Sequence, residues 1–246
     1  MSYFAQIVSG EMSLGQWAEQ GRELGLDAVD ISVLFVQHKD QRQLAQMRDA
    51  VRSAGMSIAV ATTYPDFTHP EAGRRKAELL QFQRDLEALA VLGTRLVRVT
   101  AGQAHPAVKR QDGIRWALDG ITASVEAAER AGVRLVFENH AKPGVWQYAD
   151  FAFPSDVFLE IARQLRGTPV GILFDTANPV AYGEDPQPLL RKVIDQVECL
   201  HISDTGVRGR LEPVVIGTGL VPFPDLFAIL RENRYEGWFS IEEASR

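Results

Sequence analysis

Residues 114–139 read IRWALDGITASVEAAERAGVRLVFEN, a stretch that contains a helical pattern followed directly by a β-rich run. Its apolar residues recur at the three- and four-residue spacing of one helix face: Ile114, Ala117, Leu118, Ile121 and Val125. Gly132 follows, at the point where a helix end needs a residue that tolerates a positive φ. The stretch therefore predicts an amphipathic helix leading into a buried strand.

The same unit recurs along the whole chain. Eight β-rich runs are candidate strands: 3–8, 27–33, 57–63, 95–101, 133–139, 170–176, 197–203 and 237–242. Helical patterns separate them without a hairpin signal, which predicts parallel strands joined by crossover helices. No segment has the composition of a linker, so we expect an α/β protein, a (β/α)₈ TIM barrel, forming a single domain over residues 1–246.

An open doubly wound sheet is the competing architecture. Such a sheet usually binds a nucleotide through a glycine-rich turn after its first strand, and no GxGxxG motif stands there. The isolated stretch Gly217-Thr218-Gly219 lies late in the chain and is better interpreted as a turn than as a phosphate-binding loop. The barrel is therefore the favoured interpretation.

Composition narrows the classes of protein to which the chain can belong. The 246 residues carry a formal net charge of -6, and 46% of them are hydrophobic. Without a dense run of Lys or Arg we expect no nucleic-acid partner, and without a long apolar stretch we expect no membrane segment. The one cysteine, Cys199, is interpreted as a small buried hydrophobe, and the cytoplasm is the expected location.

Four metal-ligand residue types stand at the ends of the last four candidate strands. They are Glu138, Asp175, His201 and Glu242, which we call the four-residue cluster. If these side chains face the barrel axis, strand alternation turns apolar residues outward beneath the helices: Phe137, Phe174, Leu200, Ile202, Phe239 and Ile241. One choice of strand phase thus places the polar side chains inside the barrel and the apolar side chains beneath the helices in all four strands.

Three carboxylates and an imidazole facing one point repel each other unless a cation lies between them. Barrel enzymes build their sites at this end of the strands. We therefore predict one divalent metal ion, with Mn²⁺, Mg²⁺ or Co²⁺ favoured by the oxygen-rich ligands and Zn²⁺ also compatible. The alternative is that these are ordinary strand-end polar groups, solvated or paired in salt bridges.

The segments LVFENH, GILFDTAN, CLHISD, VVIGTGLVPF and YEGWFSIEEAS resemble the sugar phosphate isomerase/epimerase superfamily. These xylose isomerase-like barrels include ketose 3-epimerases, inosose isomerases and dehydratases, and apurinic-site endonucleases. The resemblance covers essentially the whole chain and implies that the four-residue cluster binds the metal. Asn178 departs from the pattern, because ketose 3-epimerases and the endonucleases carry His at that position.

A metal held by a substrate carbonyl and its neighbouring hydroxyl acidifies the adjacent C–H by stabilising the enediolate. We expect Glu138 and Glu242 to be the catalytic residues, one removing the proton and the other returning it. Return to the opposite face gives epimerisation, return to the neighbouring carbon gives isomerisation, and loss of a β-hydroxyl gives dehydration. The predicted substrate is a sugar or keto-polyol, which makes the protein an enzyme of carbohydrate metabolism.

Four further residues are candidates for binding substrate: His140, Asn178, Arg208 and Arg98. Three of them have an alternative interpretation. His140 is also compatible with a structural role, Arg208 and Arg210 with solvated loop charges, and Arg98 with an Asp30–Arg98 salt bridge inside the barrel.

Three residues in the loop after the fifth candidate strand are weaker candidates. Lys142 is either a substrate contact or an exposed lysine. Trp146 and Tyr148 are expected to wall a sugar site or merely to cover the barrel rim.

Two other function classes remain on the same barrel. An apurinic-site nuclease needs more histidine ligands and a basic rim, which five His and a charge of -6 disfavour. A non-catalytic subunit would keep the barrel but turn over no keto-sugar.

The sequence stops at Arg246, four residues after Glu242, and leaves no room for an eighth helix over Phe239 and Ile241. An exposed apolar strip of this kind is rare in soluble monomers. We expect either that the sequence is a shortened form of a longer protein or that a homo-oligomer buries the strip.

Overall fold

The computed structural model describes residues 3–141 and 144–242. One sheet of parallel strands follows the order of the sequence and curves into a nearly closed barrel. Its strands are β1 (Ala28–Ser32), β2 (Ser57–Thr62), β3 (Leu96–Val99), β4 (Arg134–Glu138), β5 (Gly171–Asp175), β6 (Val197–Ile202) and β7 (Trp238–Ile241).

Helices alternate with these strands. They are α1 (Phe4–Ser9), α2 (Leu14–Glu23), α3 (Gln41–Ser53), α4 (Ala72–Leu92), α5 (Arg110–Ala131), α6 (Ser155–Leu165), α7 (Asn178–Tyr182), α8 (Pro186–Val193) and α9 (Phe223–Glu232). Ser13 and Asp40 begin α2 and α3 as capping boxes, and Gly93 and Gly132 end α4 and α5 with a positive φ. The helix end predicted at Gly132 is therefore confirmed.

The predicted first strand is wrong. Residues 3–8 do not join the sheet, and Phe4–Ser9 forms the helix α1, none of whose residues is buried. Gly10 ends this helix at φ 81°, and the Phe4 ring lies 5.2 Å from that of Phe35. A short apolar run satisfies strand and helix patterns equally, so periodicity alone does not separate the two. In the described residues the barrel consequently has seven strands, and the four-residue cluster comes from the fourth to the seventh.

The predicted phase of the last four strands is confirmed. Phe137, Phe174 and Leu200 are completely buried between the sheet and its helices. A second, smaller apolar cluster fills the barrel interior below the site: Ala59, Val60, Leu96, Val136, Leu173 and Cys199. Cys199 is thus the buried small hydrophobe that the sequence predicts, and burial raises the pKa of its thiol to about 12.

The barrel is open along one seam, because the edge strands β1 and β7 do not pair with each other. A cleft of about 980 Å³ lies there, lined by both strands and by α1 and α2. On the outer face of β7, Phe239 and Ile241 remain 49% and 61% exposed, as the sequence predicts. None of the helices in the described ranges is both long enough and apolar enough to cross a lipid bilayer.

Candidate metal centre

The four-residue cluster assembles at the carboxyl ends of four adjacent strands. Glu138 and Asp175 are the last residues of β4 and β5, His201 lies next to the end of β6, and Glu242 directly follows β7. Each residue offers one ligand atom, and these atoms all lie within 4.8 Å of one another. The predicted convergence is therefore present in the structure.

His201 lies at the centre of the cluster. Its Nδ1 is 2.8 Å from Glu138 Oε1 and 3.0 Å from Glu242 Oε2, while its Nε2 faces Asp30 on β1. Glu138 and His201 are buried, whereas the side chain of Glu242 is more than half exposed at the end of the seam. Nδ1 is therefore the nitrogen that a metal between the carboxylates would meet.

Asp175 is fixed by the chain that follows it. Its Oδ1 accepts hydrogen bonds from the backbone N–H groups of Ala177 (2.8 Å) and Asn178 (2.7 Å). Its Oδ2 accepts one from Ser203 Oγ at 2.9 Å. Asn139 Nδ2 donates to the Asp175 carbonyl, and its Oδ1 accepts from the Asp175 N–H. The carboxylate therefore has one defined orientation before any ligand arrives.

Without a cation, burial and the charges of the cluster residues shift the pKa values of these residues in different directions. Burial, followed by the charges of Glu242 and Glu138, raises the pKa of Asp175 to about 8. Burial also raises the pKa of Glu138, but the charges of His201 and Arg98 outweigh it and hold that pKa at about 2. The His201 pKa is raised well above its usual value, because Glu138 and Glu242 overcome the opposing effect of burial.

This donor set fits a divalent metal. Three carboxylates and one imidazole meet at one point, and burial together with the charges of Glu242 and Glu138 raises the Asp175 pKa to about 8. A divalent cation at that point would remove the repulsion that raises the Asp175 pKa. The arrangement can therefore hold a metal through Glu138, Asp175, His201 and Glu242.

Arg98 lies beside the cluster, inside the barrel. Its Nε is 3.1 Å from Glu138 Oε2, and its NH1 donates to the Thr63 carbonyl at 2.9 Å. The alternative Asp30–Arg98 salt bridge is wrong. Asp30 instead accepts hydrogen bonds from Val60 N–H on β2 and Ser240 Oγ on β7. Arg98 is therefore placed to keep Glu138 charged.

His140 lies near the rim of the site in contact with a residue that sequence reasoning missed. Its Nδ1 is 3.5 Å from Asp150 Oδ2, and Trp146 lies edge-on to the ring. Asp150 is completely buried, and burial raises its pKa against the opposing charge of His140. No sequence period connects Asp150 to β4, since it lies in the long segment between β4 and α6, so only the folded loop reveals the pair.

The remaining candidates lie in different surroundings. Asn178 is buried at the start of α7 and bonds Asp175 through its backbone. Arg208 instead pairs with Asp185 at 2.8 Å and is half exposed, so the structure records no contact between it and the described cluster residues. Lys142 lies outside the described residues.

Two further predictions concern residues in the loops around the rim of the barrel. The Tyr148 ring packs against His105 rather than toward the cluster. The Gly217 and Gly219 N–H groups both donate to the Asp204 carboxylate, at 2.9 and 2.8 Å. The isolated glycine pair is therefore a turn, as predicted.

Sequence comparison finds a family that covers nearly the whole chain and relatives that match half of it. Residues 18–246 match the family described as Xylose isomerase-like TIM barrel. The inosose dehydratase of Clostridium beijerinckii is 29% identical over 147 residues, 52% of this chain and 46% of that protein. The inosose dehydratase of Bacillus thuringiensis (strain Al Hakam) is 25% identical over 142 residues, 50% of this chain and 45% of that protein. The chain thus spans about half the length of the curated relatives it matches.

Solved structures with the same fold include two relevant neighbours. The 3-keto-D-glucoside 4-epimerase YcjR from E. coli superposes with a TM-score of 0.76 and 19% identity, covering 95% of this chain and 88% of its own. The IOLI protein with a binding zinc atom gives 0.80 and 17%, covering 98% and 87%. At these identities the superpositions establish the fold alone. The family match, over 229 of the 246 residues, goes further: the chain belongs to the xylose isomerase-like TIM barrel family.

Proposed function

We propose that the protein is a metal-dependent isomerase or epimerase of a sugar or keto-polyol that moves a proton on a carbon next to a carbonyl group. The observation that carries the proposal is the convergence of Glu138, Asp175, His201 and Glu242 at the carboxyl end of the barrel. The bound metal would polarise the substrate carbonyl and stabilise the negative charge that forms on proton removal. The protein's own residues then have to hold the metal, bind the substrate and move the proton.

Glu138 and Glu242 are the proposed proton carriers. They approach His201 Nδ1 from different strands, β4 and β7, and the proposal assigns them to opposite sides of the substrate. Arg98 and His201 keep Glu138 charged, and the charge of His201 lowers the pKa of Glu242. Both groups are therefore carboxylates at neutral pH, the form that accepts a proton.

Three neighbours support binding of a polyhydroxylated substrate. His140 and Trp146 lie beside the chain that leaves β4, and Arg98 lies against Glu138 inside the barrel. Imidazole and guanidinium groups donate hydrogen bonds to hydroxyl or carbonyl oxygens, and an aromatic ring offers an apolar face to a sugar. The proposal assigns His140 and Arg98 to substrate hydroxyl or carbonyl oxygens.

A dehydratase is the second candidate. Its support is that the two sequence relatives described above are named inosose dehydratases. The same proton removal followed by loss of a β-hydroxyl yields this outcome, so the cluster alone does not distinguish the two reactions. The nature of the product distinguishes them.

The metal identity is part of the proposal. Three carboxylates and one imidazole suit Mn²⁺, Mg²⁺ or Co²⁺, and Zn²⁺ also accepts such ligands. Elemental analysis of the purified protein, followed by reactivation of the chelated protein with each ion separately, identifies the one that supports turnover.

The deciding experiment follows solvent deuterium into a panel of ketoses, inososes and 3-keto-glycosides. The metal-loaded protein should exchange the hydrogen next to the carbonyl of at least one compound, and a chelator should abolish this exchange. An isomeric product supports the isomerase or epimerase, while a product lighter by one water supports the dehydratase. Metal-loaded protein that exchanges none of these compounds would contradict both reactions.

Substitution of the two glutamates tests their roles. Glu138→Gln and Glu242→Gln should each lower the exchange rate by about 100-fold or more, because an amide cannot act as a base. Metal content is measured in parallel, since both residues are proposed ligands. Glu236→Gln is the matched control: it removes an exposed carboxylate just before β7 and should leave the rate unchanged. Near-normal turnover of either cluster variant would show that its carboxylate carries no proton.

A further inference from the structure

Asp30 is the only acidic residue of β1. The register between β1 and β2 shifts at this point: Val29 pairs with Ile58, but Ile31 pairs with Ala61. Two residues of β2 therefore oppose Asp30, which is the arrangement of a β-bulge. Asp30 Oδ1 accepts the Val60 N–H at 3.2 Å. The bulge thus fixes the carboxylate facing into the barrel.

The other oxygen of Asp30 reaches across the open seam. Asp30 Oδ2 accepts a hydrogen bond from Ser240 Oγ on β7, and it lies 3.7 Å from His201 Nε2. Because β1 and β7 share no backbone ladder, this carboxylate links the first strand to the last two through side chains. The distance to His201 is that of an ion pair and is longer than a hydrogen bond.

The two nitrogens of His201 have different surroundings. Nδ1 faces Glu138 and Glu242 at 2.8 and 3.0 Å, whereas Nε2 faces Asp30. A histidine that binds a metal through one nitrogen must keep its proton on the other, and a carboxylate there fixes both the tautomer and the ring orientation. Asp30 occupies that position.

We propose that Asp30 is a positioning residue for the metal centre: it holds the Nε2–H of His201 and so presents Nδ1 to the metal. The inference rests on the proposed metal site. It adds to the metal centre a fifth residue, Asp30, which lies outside the four-residue cluster. Removing an outer carboxylate of this kind typically weakens metal binding by about 10- to 100-fold. Asp30→Asn should weaken Mn²⁺ binding by that factor, and Asp30→Ala by at least as much.

Asp30 also links β1 to β2 and β7 through hydrogen bonds. The experiment therefore has to distinguish a purely structural role of Asp30 from the positioning of His201. Ser240→Ala removes the link across the seam but leaves Asp30 beside His201. It should lower the thermal midpoint while changing Mn²⁺ affinity by no more than about threefold, well under the loss expected at Asp30. Asp27→Asn, an exposed carboxylate just before β1, controls for the loss of one negative charge.

The experiment measures Mn²⁺ affinity by competition with a chelator in all variants, together with thermal unfolding. In protein labelled with ¹⁵N-histidine and loaded with Zn²⁺, the Nε2–H resonance of His201 should lie downfield and should shift in Asp30→Asn but not in Ser240→Ala. Equal Mn²⁺ affinity in Asp30→Asn and the unaltered protein, or an equal loss in Ser240→Ala, overturns the positioning role alone. Failure of the unaltered protein to bind any of Mn²⁺, Mg²⁺, Co²⁺ and Zn²⁺ overturns the proposed metal site, and this inference with it.

Discussion

At the level of single residues, Asp175 is the side chain whose protonation state depends most on whether a cation occupies the site. It is buried, it accepts three hydrogen bonds, and it still has its pKa raised to about 8 by burial and by Glu242 and Glu138. In the unfolded chain the same group titrates near 4. In the metal-free protein, the folded state therefore disfavours ionisation of the Asp175 carboxyl at every pH between about 4 and about 8.

This shift predicts how stability changes with pH in the metal-free protein. An acid with a raised folded pKa contributes stability that is complete below its unfolded pKa and is lost as pH rises through the folded one. The raised pKa of His201 acts in the same direction above about pH 6.5. Between pH 5 and 8 the chelated protein should lose stability on the order of a few kcal/mol.

A metal ion should reverse this trend, because it favours the ionised Asp175. The increase in thermal midpoint on adding Mn²⁺ should therefore grow from pH 5 to pH 8, and calorimetry in buffers of different ionisation enthalpy should detect proton release on binding. Asp175→Asn is the control, since it removes the titrating group and should flatten the profile of the chelated protein. A chelated protein that grows more stable from pH 5 to 8 would contradict the assignment.

At the level of elements, α5 shows how a helix holds the loops around the site. Gly120 faces the Phe67 ring, and a Cβ added at Gly120 would lie 2.4 Å from its nearest atom. Phe67 is itself buried in the loop that follows β2, one residue after Asp66. The glycine is therefore needed for close approach of the loop, although glycine weakens a helix by about 1 kcal/mol relative to alanine.

Gly120→Ala should accordingly destabilise the protein by about 1–3 kcal/mol, because overpacking outweighs the gain in helix propensity. Urea unfolding measures the change. Gly73→Ala in α4 is the matched control, since nothing lies within 4 Å of its added Cβ, and it should be neutral or slightly stabilising. A Gly120→Ala variant as stable as this control would show that the loop moves freely.

The elements also show which parts of the fold follow from sequence. Seven of eight candidate strands are confirmed. β1 to β5 each follow a helix whose end carries a glycine with a positive φ, and β1 to β6 are mostly buried, whereas β7 alternates between half-buried and exposed residues. The exception, residues 3–8, has no partner strand in the described residues, and this condition is not visible in its own composition. Local pattern identifies an element best where burial on two faces enforces it.

For the site, strand parity was sufficient to place four side chains around one point. It did not find Asp30 as a partner of His201, since that contact requires a β-bulge and the approach of β1 to β7. Nor did it find Asp150, whose contact with His140 depends on the path of a loop. Residues fixed by periodic elements were predictable, and residues fixed by irregular backbone were not.

At the level of the whole molecule, the seam between β1 and β7 leaves large apolar side chains exposed. The cleft of about 980 Å³ is lined by Phe4, Trp17 and Leu24 as well as by Phe239 and Ile241. Three of these, Leu24, Phe239 and Ile241, are about half exposed or more. Apolar surface that is contiguous and open to water usually marks a site of association.

We expect the protein to self-associate through this surface, because burying each of Phe239 and Ile241 is worth on the order of 1.5–3 kcal/mol. Light scattering coupled to size exclusion should give a particle heavier than the 27.3 kDa of one chain. Ile241→Ser should shift the mass toward that of the monomer. The Ile241 side chain is the more exposed of the two, whereas Phe239 also packs against Tyr235 at 5.3 Å.

Leu80→Ser is the control, since Leu80 is a similarly exposed aliphatic residue on α4 that does not line the cleft. A monomeric mass for the unaltered protein at micromolar concentration, or an equal effect of both substitutions, would show that the seam is not the contact surface.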